Sequence, residues 1–433
     1  VRLRPTLLNV VRWFFSVTLI VALSSAVAQA GGVLLLSEAL TKAQESSPDI
    51  QQLQAQYESA IRKTNLALSP AEPTFSVLNN DMIGGLHLGT AASQVMQIQQ
   101  SIGFPGRALL NRSQLSEQAR AILYQEKAME LQIAVNVKTA YYNLQLAQRN
   151  IQLNEDTKLA FERVMQIARR RYESGAAAQV DVINAQIALV SNDNDLNDLQ
   201  TAEKVARAQL NTLLKQPVGS AIEVEPIKMT YFPAVDLDSA AQQMMQNRNE
   251  IKAARASEKA SEKSYQLAWM SLLPDFQFTL GRAKYLYGAA SPYNPMAPAP
   301  YPTETYMAGV QFTVPIWFLF NEREVINGAS FDRAAAQRSL DVVSNQSKIA
   351  LETAIDTIHS AEQKIKKFET RILPLSDQAF NLALTDYSSG RIDFQTLSDT
   401  ATSRRQSRIN YATAVVAYLT NYATYKQLIG EDL

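Results

Sequence analysis

The chain has 433 residues, a length that suits two or three ordinary domains. Lys plus Arg and Asp plus Glu number 41 each, so the net charge is zero, and without a basic stripe the chain is a poor nucleic-acid binder. It has no Cys, which excludes disulfides, thiolate metal sites, a cysteine nucleophile and the lipidated N-terminal Cys of some envelope proteins.

In chain order, residues 1–30 read as a secretory signal. Arg2, Arg4 and Arg12 are basic, Trp13 to Leu23 is apolar, and "AVAQA" sets Ala28 and Ala30 around Gln29. Cleavage is expected after Ala30; the alternative is a retained membrane anchor. No later segment approaches the roughly 20 apolar residues that a membrane helix needs.

A helix is predicted from about 37 to 70, with Ser37 as N-cap and Pro48 breaking or kinking it. A hairpin follows at about 73–104. Its first strand, Thr74 to Met82, is weakly patterned. Its second, "VMQIQQSIGF", sets Met96, Ile98, Ile102 and Phe104 on one face, interrupted by Gln100, with Gln97, Gln99, Ser101 and Gly103 on the other. Long helices are predicted over about 107–213. Arg107 to Arg171 holds neither Pro nor Gly, a run of 65 residues and about 98 Å of helix. Its apolar stripes are narrow, as in Ile133, Val137, Tyr141 and Leu144, with Ala and Gln between them, which suits close packing of helix against helix.

The second half repeats this plan. A helix is predicted from about 238 to 272, with Asp238 as N-cap, then a hairpin at about 274–314 and long helices at about 320–430. Phe276, Phe278 and Leu280 oppose Asp275, Gln277 and Thr279. Tyr306, Ala308, Val310, Phe312 and Val314 oppose Met307, Gly309, Gln311 and Thr313. Sliding the chain by 201 residues pairs Ile50 with Ile251 and Pro73-x-Phe75 with Pro274-x-Phe276. The offset is 210 at Pro105 and Pro315, and 215 at Tyr172 and Tyr387. Residues 31–235 and 236–433 are therefore read as two copies of one unit: helix, hairpin, long helix, turn, helix.

Period-2 strands with one apolar face fit a soluble sandwich core or a membrane barrel. Four strands cannot close a barrel, since membrane barrels start at eight, but three chains giving four each would supply twelve. Tyr285, Tyr287, Tyr306 and Trp317 near the strand ends fit an interfacial girdle.

Two helix reversals carry the strongest signal. "YESGAAAQVDVINAQ" holds Tyr172, Gly175, Asp181, Val182 and Ala185; "DYSSGRIDFQTL" and the residues after it hold Tyr387, Gly390, Leu397, Asp399 and Ala401. With "LLP" at 272–274, the closing "NYATYKQLIG" and the duplicated layout, the sequence resembles the TolC family of bacterial outer-membrane efflux and secretion channels over about 36–430. The resemblance implies a mainly α chain with a small β part. Its fold would be a trimeric outer-membrane β-barrel with four strands per chain, continued by a long periplasmic α-helical barrel. The expected location is the Gram-negative outer membrane, reaching into the periplasm.

The implied partners are two further copies in a homotrimer, a periplasmic adaptor (membrane fusion) protein, an inner-membrane pump of proton-driven or ABC type, and outer-membrane lipid. Membrane-facing candidates are Met96, Ile98, Ile102, Phe104, Phe276, Phe278, Leu280, Val310 and Phe312. At the tips, Gly175 and Gly390 would reverse the chain and Tyr172 and Tyr387 would pack under the turns, with Asp181 nearby. Exposed Ala176, Ala177, Ala178, Arg391 and Ile392 would meet the adaptor. Family channels narrow through aspartate rings at positions matching Thr396 and Asp399; this chain keeps only Asp399, with Asp393 nearby. The family's basic latch falls at Ile392, with Arg391 one position away.

Other chemistry is thin. His87 and His359 are far apart in sequence and make no metal site, and no phosphate loop, nucleophile elbow or acid–base pair is present. An enzyme is not expected, nor a cofactor. The chain reads as a passive conduit for small molecules or proteins; the alternative is a periplasmic or surface coiled-coil scaffold or adhesin without a pore.

Overall fold

A computed structural model describes residues 33–82, 91–233, 235–285 and 304–431. The signal-like segment 1–30, His87 and Tyr287 lie outside them. The first half contains α1 (Leu36–Ser46), α2 (Pro48–Leu66), β1 (Thr74–Met82), β2 (Ala91–Ile102), α3 (Arg107–Glu173) and α4 (Gln179–Leu213). The second contains α5 (Leu237–Asn247), α6 (Asn249–Met270), β3 (Phe276–Tyr285), β4 (Glu304–Phe312), α7 (Glu322–Lys367), a π-turn (Phe368–Ile372), α8 (Leu373–Ser388) and α9 (Phe394–Ile429). The protein is thus a mixed chain of long helices and one small sheet. Helix α3 alone has 67 residues, about 100 Å at 1.5 Å per residue.

Each opening helix is split in two. Pro48 acts as predicted: Ser47 is extended, its hydroxyl accepts from the Ile50 N–H, and Pro48 fills the first turn, where a missing N–H costs nothing. The equivalent break at Arg248 has no proline, and the single helix expected over 238–272 is corrected to α5 and α6. The expected caps also shift. α1 already includes Ser37, and α5 is capped by Asp236, which accepts from the Ser239 N–H at 2.9 Å, not by Asp238. The π-turn was not expected. It precedes Pro374, whose ring crowds the carbonyl four residues back; the wide turn relieves that clash without ending the helix.

The chain divides into two compact units. One, the sheet unit, comprises Ser47–Val135, Tyr231–Glu362 and Thr420–Leu433. Its four strands form one antiparallel sheet in the order β1-β2-β3-β4, so the two predicted hairpins join through β2 and β3. Both β2 and β4 end earlier than expected, which leaves Phe104 and Val314 beyond the strands. Phe104 is instead half-buried, with its N–H donating to Asp275 Oδ1 at 3.2 Å. Arg107 holds the same carboxylate at 2.5 Å and donates to the carbonyls of Met270 and Leu273 at the end of α6, so one guanidinium fastens strand to helix.

Also in the sheet unit, Phe232 stacks on Tyr422 at 3.7 Å between ring centres, and Gly430 ends α9 with φ +74°. A Cβ there would lie 2.6 Å from the Asn247 carbonyl carbon. Gly430→Ala should therefore cost about 2 kcal/mol, from left-handed strain and overlap. Urea unfolding of the detergent-solubilised protein measures it, and an unchanged midpoint would refute this account of the helix end.

The other, the tip unit, comprises the described residues up to Ser46 together with Asn136–Thr230 and Gln363–Leu419. Leu34 bridges Val224, Tyr141 donates to the Leu34 carbonyl at 2.8 Å, and Gln145 donates to Glu225 at 2.7 Å. Of the predicted stripe residues, Val137, Tyr141 and Leu144 are buried in this unit and Ile133 in the sheet unit.

Candidate functional site

Two features stand out: one face of the sheet, and the paired helix reversals. On the sheet, the register sets Phe75 opposite Ile98, Ile98 opposite Leu280, Phe278 opposite Val310 and Phe276 opposite Phe312. Partners across an antiparallel pair share a face, so Met96, Ile98, Ile102, Phe276, Phe278, Leu280, Val310 and Phe312 all lie on one side. No second layer covers it among the described residues: Leu280 and Val310 are each 61 % exposed. The opposite face carries Gln97, Gln99, Gln277, Thr279 and Gln311, and Gln277 donates to Gln99 at 2.9 Å. An Arg282–Glu304 ion pair marks the loop end of the sheet. Exposed Ile316, Trp317, Phe318, Leu319 and Phe320 follow its helix end. No helix among the described residues is long and apolar enough to cross a membrane, which says nothing of a β-barrel.

The reversals are built by the same hydrogen bonds at the 215-residue offset. Gly175 donates to the Tyr172 carbonyl and Ala176 to Arg171; Gly390 donates to Tyr387 and Arg391 to Asp386. Gly175 and Gly390 have φ +71° and +81°, the left-handed conformation that glycine adopts without a Cβ clash. The helices restart differently. Asp393 caps α9, its carboxylate accepting from the Thr396 N–H at 2.9 Å, and those hydrogen bonds hold its pKa below the usual carboxylate value. Ala178 precedes α4 with no side-chain cap.

Beneath the reversals lies an apolar cluster of Phe161, Val164, Ala168, Ala185, Phe380, Ala383, Tyr387, Phe394, Leu397 and Ala401. Tyr387 is fully buried, edge-on to Phe394. The Arg171 guanidinium lies 4.8 Å from the Tyr387 ring centre and donates to the Tyr387 carbonyl at 2.7 Å and the Ala176 carbonyl at 3.1 Å. One side chain thus staples both reversals. The Tyr387 hydroxyl donates to Asp181 at 3.4 Å. Burial first, then the Asp181 carboxylate, pushes its pKa up to about 12.

The predicted tip residues divide. Tyr387 packs under its turn, whereas Tyr172 does not and is 45 % exposed. Ala176, Ala178 and Arg391 are exposed, Ala177 and Asp181 are half-buried, and Ile392, expected to be exposed, packs partly on the cluster. Arg391 folds back onto its own turn, 3.3 Å from Asp386 and 2.9 Å from the Ser389 hydroxyl. Thr396 and Asp399 are exposed, and Asp399 accepts from Gln395 at 2.8 Å.

Deeper in the tip unit lies a polar belt that sequence reasoning missed. Asp377 binds both Arg404 and Arg408; burial opposes its charge, but the two guanidinium groups hold its pKa below the usual value. Arg405 binds Asp195 at 2.7 Å and Asn154 at 2.9 Å, and Asn154 and Asn192 bond each other's backbone carbonyls. The available signal was the spacing of Arg404 and Arg408, one helical turn apart. No group of His, Asp or Glu among the described residues could hold a metal ion.

Comparison with known proteins gives a consistent result. The sequence profile of a family described as outer membrane efflux protein matches residues 39–215 and 240–431. The fusaric acid resistance protein FusA of Burkholderia cepacia is 24 % identical over 179 residues, which are 41 % of this chain and 33 % of that protein. The chain therefore matches only about a third of that relative's length. Among solved structures, CusC superposes with a TM-score of 0.78 at 16 % identity, covering 94 % of this chain and 96 % of that one. The outer membrane protein VceC of Vibrio cholerae gives 0.75 at 15 % identity, over 92 % and 96 %. At these identities the likeness is one of fold.

Proposed function

The chain belongs to the outer membrane efflux protein family, as a TolC-type channel component of a Gram-negative efflux or secretion system, and from that premise we propose that three copies close one twelve-stranded barrel around a passive export path. The open sheet carries this reading: β1 and β4 pair with no further strand among the described residues, and the apolar face lies exposed. In lipid every backbone N–H and C=O needs a partner, so each free edge must be met by a strand of another copy. Twelve is an even number that antiparallel strands can close. The glutamine-rich face would then line the water-filled path, and Trp317, Phe318 and Phe320 would sit at the membrane boundary.

In this reading residues 31–235 and 236–433 are two copies of one ancestral unit, and a trimer presents six reversals to the periplasm. Ala176, Ala177, Ala178 and Arg391 meet an adaptor protein, with Ile392 packed beneath them on the cluster. An inner-membrane pump, proton-driven or ABC type, supplies the energy and selects the cargo of small molecules or proteins. The test is the native mass of the protein extracted from outer membranes, with single-channel recording in planar bilayers. A conducting trimer supports the proposal; a non-conducting trimer or a monomer overturns it.

Asp399 is the gate residue of this reading. One exposed carboxylate per chain becomes three around one axis, and their fields add in a narrow passage that water screens poorly. Asp399→Asn should lower cation preference and block by multivalent cations, with the trimer intact. Thr396→Asp should do the reverse by adding a second ring. Asp393→Asn is the control, because that carboxylate caps α9. Reversal potentials under a salt gradient decide; no change in Asp399→Asn beside a large change in Asp393→Asn rejects the assignment.

A further inference from the structure

The two reversals share their backbone bonds but not the fate of their tyrosines. Tyr387 is fully buried and Tyr172 is 45 % exposed. The socket around Tyr387 is supplied by the other reversal: Arg171 lies over the ring, and Asp181 takes the hydroxyl. At the 215-residue offset, Arg171 corresponds to Asp386 and Asp181 to Thr396. The second reversal therefore carries the positions of an equivalent socket, and the first carries a tyrosine without one. We infer that Tyr172 inserts against Asp386 and Thr396 of a neighbouring copy, rebuilding between chains the contact that Tyr387 makes within one. The inference rests on the assembly proposed above and names its seam.

A second observation points to the same occupant. On α4, Val180, Ile183, Ile187 and Val190 are all exposed and recur at steps of three and four residues. On α8, Leu375 and Leu382 are exposed one heptad apart. Such stripes need an apolar partner helix, and among the described residues none of the tip unit's own helices covers them. Both stripes lie on helices that lead to or from a reversal, so they extend the same seam away from the tip. A second copy satisfies both stripes and Tyr172 at once.

The seams within and between chains then differ in chemistry. Within a chain, a guanidinium makes two bonds to carbonyls and lies over an aromatic ring. Between chains the corresponding residue is Asp386, which is acidic and already engaged by Arg391 at 3.3 Å. Asp386 can accept a bond from a tyrosine hydroxyl but offers no cation to its ring. The joint within a chain is thus stapled by a cation, and the joint between copies is not.

The absence of Cys gives a clean background for the test. Tyr172→Cys with Thr396→Cys, treated with a short bismaleimide in outer-membrane vesicles, should give covalent dimers and trimers on denaturing gels. Asp181→Cys with Tyr387→Cys should crosslink within one chain and stay at single-chain mass. Tyr172→Cys alone, if the pair disturbs folding, should be protected from maleimide in the native assembly and react once it is denatured. A native trimer with no interchain product and with Tyr172→Cys reacting freely overturns this inference alone. A wild-type protein of monomeric native mass overturns the assembly as well.

Discussion

Replacing Tyr387 with Ala should destabilise the tip unit by about 3–5 kcal/mol, the range for removing a buried aromatic side chain. The ring is fully buried beside Phe394 and under Arg171, so the variant loses transfer energy, opens a cavity and strands part of the guanidinium's contact. Tyr387→Phe keeps the packing and loses the 3.4 Å bond to Asp181, so it should cost only about 1 kcal/mol. The pH dependence separates the two. Burial and Asp181 raise the Tyr387 phenol from 10.0 to about 12, which means the folded state favours the neutral phenol. That contribution is complete below the ordinary phenol value and disappears as the pH rises through about 12. Tyr411, raised to about 12 by burial and by its 2.8 Å bond to Glu369, adds a loss of the same sign. Urea midpoints followed by helical circular dichroism from pH 8 to 12 should fall in the wild type and fall less in Tyr387→Phe. Equal alkaline losses in both proteins, or an Ala variant no weaker than the Phe variant, would show that the phenol anchors nothing.

Placing an arginine at Val310 or Phe278 should cost about 2–4 kcal/mol and deplete the heat-resistant trimer, because those positions would meet lipid near mid-depth. The two residues face each other across β3 and β4, so either substitution puts charge at the same place. Gln311→Arg is the comparison. Gln311 pairs with Gln277 on the opposite, glutamine-rich face, where a watery path would accept a guanidinium at little cost. The measurement is the fraction of heat-resistant trimer in outer-membrane extracts. Equal damage at Val310 and Gln311 rejects the assignment of faces.

The strands were legible because alternation is local. Ile98 and Gln99, or Val310 and Gln311, differ by one position and by everything about their surroundings. The join between β2 and β3 was not legible, since Ile102 pairs with Phe276 far along the chain and no local pattern encodes that meeting. Pro48 announced its helix break through a missing N–H, whereas Arg248 makes the equivalent break with nothing that propensity can register. Phe104 kept the strand's alternation, but the turn at Gly106 begins before that pattern can act. At the tips, the glycines and tyrosines were visible as a repeated spacing. The staple was not: Arg171 reads as one more charge in "RRR" until the fold brings it to a carbonyl 216 residues away. The unequal burial of Tyr172 and Tyr387 was invisible for a related reason, since the repeat equates positions whose neighbours differ in charge.

The exposed segment Ile316–Phe320 has a consequence for length. The first copy passes from Pro105 to α3 at Arg107, while the second passes from Pro315 to α7 at Glu322, so five of the extra residues of the second copy fall between strand and helix. From those starts, Tyr172 and Tyr387 each lie 65 residues on. A single residue added inside either helix would advance its far end by about 1.5 Å and turn it by about 100°. The inserted aromatic segment does neither. The two arms of the chain hold the same number of residues up to their tyrosines, the second of them with the π-turn at Phe368–Ile372 inside it, and the residues added at this joint leave that count unchanged.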